Sequence, residues 1–275
     1  MDVDASAGQR PRRAAHRAAN SETLDMLARW GRVCRSVMYA LVGFLAFQVA
    51  FGSGGEADKT GAIRTIAAQP LGGVVLWLMV AGFAALALWQ LSDALMGTGE
   101  LTDRLGAGAR TVVYGFVVAT LLSFTLRGGT ESGDKQSRDL TDWLLHLPGG
   151  QLVVGAVGVG LLGLAAVWVF RGVTRRFMED LRTERMPSGV KAAVQPLGIV
   201  GNLARGAVAG LAGYFMLQAA ITYQPDRAKG VDATLRAFAD TAAGPWVLGA
   251  VATGLLLFAG YCLCEAFFHK PRPAS

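Results

Sequence analysis

The sequence has little charge for its length. Only 17% of its 275 residues are Asp, Glu, Lys or Arg, against about 25% in a typical soluble domain. Three cysteines are too few for a disulfide framework, whereas 36 glycines are ordinary where helices approach closely in lipid. With 52% hydrophobic residues, the composition excludes a disordered, collagenous or disulfide-framed protein and favours an integral membrane protein.

Six stretches of the sequence contain no Asp, Glu, Lys or Arg. A bilayer core about 30 Å thick is crossed by about 20 apolar residues in a helix, and one charge at its centre costs about 2.5–3.5 kcal/mol. The sequence therefore predicts an all-α polytopic membrane protein with six transmembrane helices. The predicted spans are 36–55, 65–92, 111–126, 143–170, 206–225 and 241–264.

The Lys and Arg residues predict the orientation of these spans. They are densest before the first span and between the fourth and fifth, which places both termini in the cytoplasm of a cell-membrane protein. We attribute the net charge of +6 to basic residues that set the orientation of the spans and contact anionic lipid at the cytoplasmic face, and not to nucleic-acid binding. A protein partner cannot be named from these features.

Two further basic segments are predicted on the cytoplasmic side. Residues 1–20 read as a disordered basic tail without a secretory cleavage site. From Ser21, apolar residues at helical spacing up to Gly31 predict a short helix on the membrane surface. A second surface helix is predicted over 171–186, where Pro187 ends it.

A helical hairpin recurs three times along the chain. A Gly-x-x-x-Arg motif precedes the first, third and fifth spans and ends at Arg35, Arg110 and Arg205. In the second helix of each hairpin, Asp93, Arg171 and Glu265 align. Because every unit has two spans, the three hairpins have the same orientation and predict a pseudo-threefold axis along the membrane normal. The predicted segments are the tail 1–20, repeats 21–98, 99–186 and 187–270, and a C-terminal tail 271–275.

The repeats carry a family resemblance. Besides the Gly-x-x-x-Arg motifs, the chain has Asp58-Lys59-Thr60-Gly61-Ala62-Ile63 before Gln69-Pro70-Leu71-Gly72, and Lys229-Gly230-Val231-Asp232-Ala233-Thr234-Leu235-Arg236 before the last span. With these motifs it resembles the bacterial, mostly actinobacterial, membrane family called domain of unknown function 1206, over about residues 30–270. The resemblance implies architecture and location, and no catalytic residues.

The outer loops contain apolar residues at helical spacing. Segments 61–68, 138–147 and 231–239 each predict a short amphipathic helix at the outer interface. These helices have two interpretations: struts at the interface, or a lid over a central opening.

Charged residues converge at the predicted cytoplasmic rim. Asp93 is placed to pair with Arg35 or Arg110, and Glu265 with Arg205. Such ion pairs would fix the register of the helices. The alternative is a charged vestibule that selects an anion.

Deeper in the membrane, the repeats align three polar side chains: Gln48, Ser123 and Gln218. They form a candidate axial polar layer. They either hydrogen-bond across the axis or line a narrow polar passage, and the absence of an ionisable residue inside the spans favours bonding.

The sequence contains no convincing catalytic or metal-binding motif. Residues 158–163 match a dinucleotide fingerprint, but inside an apolar span and without a preceding strand. The three histidines are scattered along the chain, and no pattern resembles a catalytic nucleophile with a base and an orienting acid. We expect no enzyme activity, no cofactor and no metal. The leading hypothesis is a non-enzymatic membrane scaffold or accessory component, and the alternative is a passive channel or permease for a small neutral or anionic solute.

Overall fold

The chain folds as a bundle of long helices with shorter helices at one end. The computed structural model describes residues 22–51, 59–96, 101–127, 133–239 and 243–269. These residues form nine α-helices and three 3-10 turns, and within them the only extended pairing is an isolated bridge between Leu181 and His269. The predicted all-α class is therefore confirmed, while both predicted tails lie outside the described residues.

The helices are α1 (Glu22–Ala50), α2 (Lys59–Ala67), α3 (Gly72–Met96), α4 (Leu101–Arg127), α5 (Gly133–Leu145), α6 (Gly150–Val173), α7 (Ser188–Thr222), α8 (Val231–Ala239) and α9 (Gly244–Phe268). The 3-10 turns are Arg176–Met178, Thr183–Arg185 and Pro225–Arg227.

Five helices are long and apolar enough to cross a membrane. The segments are Arg29–Ala50, Gly72–Leu95, Gly106–Leu126, Gly150–Val173 and Gly244–Phe268. Five of the six predicted spans are thus borne out. The predicted span 206–225 falls in the second half of α7, a helix of 35 residues that is not among these five. Its apolar part begins directly after Arg205 and includes Gln218, which lowers its hydropathy.

Helix α1 is one continuous element and not the predicted surface helix followed by a span. Gly31, Cys34, Met38, Val42 and Leu45 form a buried stripe at spacings of three and four residues along it. Because this stripe runs without interruption from Gly31 into the apolar segment, the same face of α1 packs on the bundle from Gly31 onward.

The six long helices pack side by side in the order α4, α3, α1, α9, α7, α6. Small residues allow the closest approaches: a Cβ added to Gly201 of α7 would lie 2.7 Å from Phe258 Cα of α9. Within the described residues, α4 and α6 do not pack along each other. We call the gap between them the α4–α6 seam.

The three short helices α2, α5 and α8 pack onto the end of the bundle opposite the repeat arginines. Each has fully buried side chains, such as Ile63 of α2, Thr141 of α5 and Leu235 of α8. The helical segments predicted in the outer loops are present, and each contacts at least one long helix.

At the other end, residues 174–187 fold back under the bundle, and we call this segment the strap. Arg175 adopts a left-handed conformation (φ 57°), so α6 ends at Val173 and the predicted surface helix over 171–186 is wrong. The physical reason is burial: Phe177 is 2% exposed and its ring packs edge-on against Tyr261, with 5.3 Å between ring centroids. Gly198 leaves room for that ring, because a Cβ there would overlap it.

Candidate functional site

The candidate site is the charged layer that the repeat arginines form near the strap. We call Arg35, Arg205 and Glu265, with the aromatic side chains around them, the arginine layer. Arg35 lies on α1, Arg205 on α7 and Glu265 in the last turn of α9. Helix α9 packs between α1 and α7, so residues far apart in sequence share one layer.

Arg35 connects three helices. Its Nη2 donates to Glu265 Oε2 of α9, and its Nη1 donates to the hydroxyl of Tyr114 of α4 at 3.0 Å. Arg32, one turn earlier, lies 3.9 Å from Glu265 Oε1 and its guanidinium stands over the Trp89 ring. Glu265 is largely buried. Two arginines therefore neutralise one carboxylate inside the bundle, which makes its ionised form tolerable there.

Arg205 is held by aromatic rings. Its guanidinium carbon lies 3.6 Å from the Trp168 ring centroid and 4.4 Å from that of Phe258. Its Nε is buried and has no hydrogen-bond partner, and among the described residues no carboxylate lies within 4 Å of it. Instead of the predicted pairing with Arg205, Glu265 therefore pairs with Arg35 and Arg32.

The other two predicted rim residues are found on α3 and α4. Arg110 Nε donates to Gln90 Oε1 at 3.0 Å, and Trp89 Nε1 donates to Asp93 Oδ2 at 3.1 Å. Both residues are therefore tied to polar side chains of α3 that the sequence analysis did not assign to the rim.

The strap adds one more charged pair to this end of the bundle. Asp180 Oδ2 accepts a hydrogen bond from Arg171 Nη2 of α6. Burial raises the pKa of Asp180, although the nearby Arg171 guanidinium opposes the effect. The strap also forms the main-chain hydrogen bond Arg182 N to Phe268 O, 2.7 Å long, at the end of α9.

The three residues of the predicted polar layer lie on different long helices: Gln48 on α1, Ser123 on α4 and Gln218 on α7. All three are half-buried. Gln218 Nε2 donates to the hydroxyl of Tyr214, one turn earlier on its own helix, at 2.8 Å. The proposed contact of these three groups across an axis remains a prediction.

The described residues offer little for metal or substrate chemistry. They contain no group of three His, Cys, Asp or Glu side chains able to hold a metal ion. At the outer end, an open cleft of about 650 Å³ lies between α5 and the 3-10 turn Pro225–Arg227. Its lining is of mixed charge: Lys135, Arg138, Asp139, Asp142, Pro225 and Asp226.

Several residues of the site were missed by the sequence analysis. The alignment of the repeats gives no signal for four of them: Trp168 and Phe258 around Arg205, and Phe177 and Asp180 in the strap. Tyr114 did carry a signal, because a tyrosine follows the motif arginine by four residues in two of the three repeats, at Tyr39 and Tyr114. That spacing places each tyrosine one helical turn from its arginine.

Comparison with known proteins identifies the repeats. Residues 30–97, 105–175 and 200–269 each match the family described as Domain of Unknown Function (DUF1206). The chain is also 28% identical over 258 residues to the uncharacterized protein YxxB of Bacillus subtilis (strain 168), covering 90% of this chain and 93% of that protein. No solved structure matches the chain significantly. The internal repetition and the family resemblance predicted from the motifs are therefore confirmed.

Proposed function

Because the chain belongs to the family described as Domain of Unknown Function (DUF1206), whose description assigns no activity, we propose from the geometry that it is a non-enzymatic membrane scaffold or accessory component. It resides in the cell membrane with six spans and has both termini in the cytoplasm. The arginine layer and the strap then face the cytoplasm, and α2, α5 and α8 are struts at the outer interface.

The sixth span of this proposal is the second half of α7. It packs between α6 and α9, both of which are apolar enough to cross a membrane. A Cβ at Gly213 would lie 3.0 Å from the Gly158 carbonyl oxygen of α6, so the two backbones are in close contact. Close helix contact through small residues is the usual mode of association in lipid.

The order of the helices supports the proposed pseudo-threefold arrangement. With hairpins α1/α3, α4/α6 and α7/α9, each hairpin packs on the next through α3–α4, α6–α7 and α9–α1. These are the contacts between neighbouring hairpins that a ring of like-oriented hairpins requires, while within the described residues the two helices of the second hairpin are separated by the α4–α6 seam.

One observation carries the scaffold proposal: the bundle is closed by direct packing at the arginine layer. Phe258 lies edge-on against Tyr39, with 4.7 Å between ring centroids, and its other neighbours include the Arg205 guanidinium and Gly201. Phe177 of the strap packs against Tyr261, which lies on α9 one helical turn after Phe258. A solute crossing here would have to displace buried aromatic side chains.

A swelling assay on proteoliposomes tests the proposal. We expect vesicles with the wild-type protein to be no more permeable to glycerol, urea and chloride than empty vesicles. The Q48L and Q218L variants are expected to leave this permeability unchanged. Solute flux that falls in Q48L but not in the lipid-exposed control V153A would instead support the channel or permease and overturn the scaffold.

A labelling experiment tests the topology. Single cysteines at Ser188 and Thr222, the two ends of α7, are placed in a variant lacking the three native cysteines. In intact cells, a membrane-impermeant maleimide is expected to label position 222 alone. Labelling of both positions, or of position 188 alone, contradicts the proposed orientation.

A further inference from the structure

We propose that the arginine layer binds an anionic phospholipid, with the lipid phosphate at Arg205 and its acyl chains in the α4–α6 seam. This inference rests on the membrane embedding of the proposed function but not on the scaffold role.

Charge is the first reason. The carboxylate of Glu265 is shared by Arg35 and Arg32. Arg205 has no carboxylate within 4 Å among the residues that the structure describes, and its buried Nε has no hydrogen-bond partner there. The layer thus has excess positive charge inside the bundle, which one phosphodiester group would balance.

The arrangement of donors at Arg205 is the second reason. Trp168 and Phe258 contact the guanidinium through their aromatic rings, which are not conventional hydrogen-bond acceptors. A guanidinium presents five donors in one plane, and this plane fits two oxygen atoms of a phosphate. The buried Nε of Arg205 and that of Arg35 both lack a hydrogen-bond partner within the described residues. Buried donors of this kind are normally satisfied.

Access from the bilayer is the third reason. Trp168 is a residue of α6 and Tyr114, which holds Arg35, is a residue of α4. These helices flank the seam, do not pack along each other in the part of the chain that the structure describes, and are the least buried of the five apolar spans. A ligand that enters sideways between them reaches both guanidinium groups at one end of the apolar segment. A phospholipid has this chemistry, with two apolar chains and one negative charge at the end.

Native mass spectrometry of the full-length protein in mild detergent tests the assignment. Phosphatidylglycerol and phosphatidylcholine are titrated separately, and inorganic phosphate is the free-anion arm. We expect retention of phosphatidylglycerol, little retention of phosphatidylcholine, and no competition by millimolar phosphate. R205Q is expected to weaken phosphatidylglycerol binding roughly tenfold. The matched control R185Q, which removes an exposed arginine of the strap, is expected to leave it unchanged.

Three results would overturn the proposal. Equal losses in R205Q and R185Q would show attraction to general surface charge. Competition by phosphate at the same concentrations would show a free-anion site. If R205Q does not fold, R205K keeps the charge but not the planar donors, and wild-type lipid affinity in R205K would exclude the assigned contact. Solute flux in the swelling assay would reject the scaffold and leave this lipid site intact.

Discussion

Individual residues of the arginine layer fix contacts between helices that are distant in sequence. Ser36, the residue after Arg35, donates its Oγ hydrogen to the Ala259 carbonyl oxygen at 2.7 Å, and Arg35 pairs with Glu265. Both contacts join α1 to α9. At this scale, the stability of the bundle depends on a few buried polar groups whose loss leaves a partner unsatisfied.

Glu265 gives the clearest residue-scale prediction. E265Q removes the carboxylate and leaves Arg35 buried with its charge uncompensated, which we expect to destabilise the protein by about 3–5 kcal/mol. The double variant R35Q/E265Q removes both charges and should recover much of the loss. Thermal unfolding in detergent measures both effects.

The exposed pair of Asp142 and His146 supplies the control for this experiment. Both side chains are more than half exposed, so D142N should leave the melting temperature unchanged. If E265Q melts at the wild-type temperature, the buried pair does not stabilise the bundle.

Gly201 gives a steric prediction. An added Cβ would lie 2.7 Å from Phe258 Cα and 2.9 Å from its amide nitrogen, so G201A forces α7 and α9 apart at a cost of about 1–3 kcal/mol. The control G210A is in the same helix, where the nearest atom, Ala165 Cβ, lies at an ordinary 3.5 Å. Equal melting temperatures for the two variants contradict the close packing.

At the scale of elements, the strap is a short segment without α-helix that is attached by side-chain burial. Phe177 packs under Gly198 and Tyr261, and Leu181 is fully buried. Because few main-chain hydrogen bonds join it to the long helices, we expect it to detach before the bundle unfolds.

Removing the Phe177 ring tests this attachment. F177A deletes a fully buried aromatic side chain, a change that typically costs about 3–5 kcal/mol. We expect trypsin to cut the exposed Arg176 and Arg185 much faster in F177A than in the wild-type protein. L152A, on an exposed position of α6 far from the strap, is the control and should be cut at the wild-type rate. If all three proteins are cut equally fast, Phe177 does not hold the strap.

Asp180 makes the strap sensitive to pH. Burial and the Glu265 carboxylate raise its pKa, while Arg171 and Arg110 oppose the rise. Since the folded state then holds the proton more tightly than the unfolded chain, this stabilisation is present below the unfolded pKa of about 3.9 and is lost as the pH rises through the higher folded value. We expect D180N to reduce the slope of melting temperature against pH above 4. An unchanged slope contradicts the assignment.

The sequence predicted elements better than it predicted contacts. Charge-free windows identified five spans because lipid requires an apolar surface along the whole helix. The strap was missed because the burial of Phe177 depends on Gly198 and Tyr261, 21 and 84 residues further on. Repeat alignment brought Arg205 and Glu265 to one layer but could not show that aromatic rings, and not a carboxylate, surround Arg205.

At the scale of the whole molecule, the first and last repeats are joined through α1 and α9, whereas the middle repeat is open at the α4–α6 seam. The covalent connection between α4 and α5 should therefore be dispensable. Residues 1–130 and 131–275, expressed together with a tag on one fragment, are expected to purify as a complex.

A variant at the α1–α9 contact provides the test of this complex. G43L places a large side chain where a Cβ alone would lie 3.1 Å from the Ala252 carbonyl oxygen, so the fragments should no longer purify together. G115L, at a position with nothing within 4 Å, should leave the complex intact. If the tagged fragment purifies alone when neither substitution is present, the two fragments do not assemble and the prediction is wrong.

The pairing of Arg35 with Glu265 across 230 residues also constrains how the protein is made. At about 5–20 residues per second, a ribosome needs roughly 10–50 s to synthesise the intervening chain. During that time α1 is present without the carboxylate that neutralises its arginines. Until the final helix emerges, we expect these cations to stay hydrated or to pair with lipid head groups at the cytoplasmic interface.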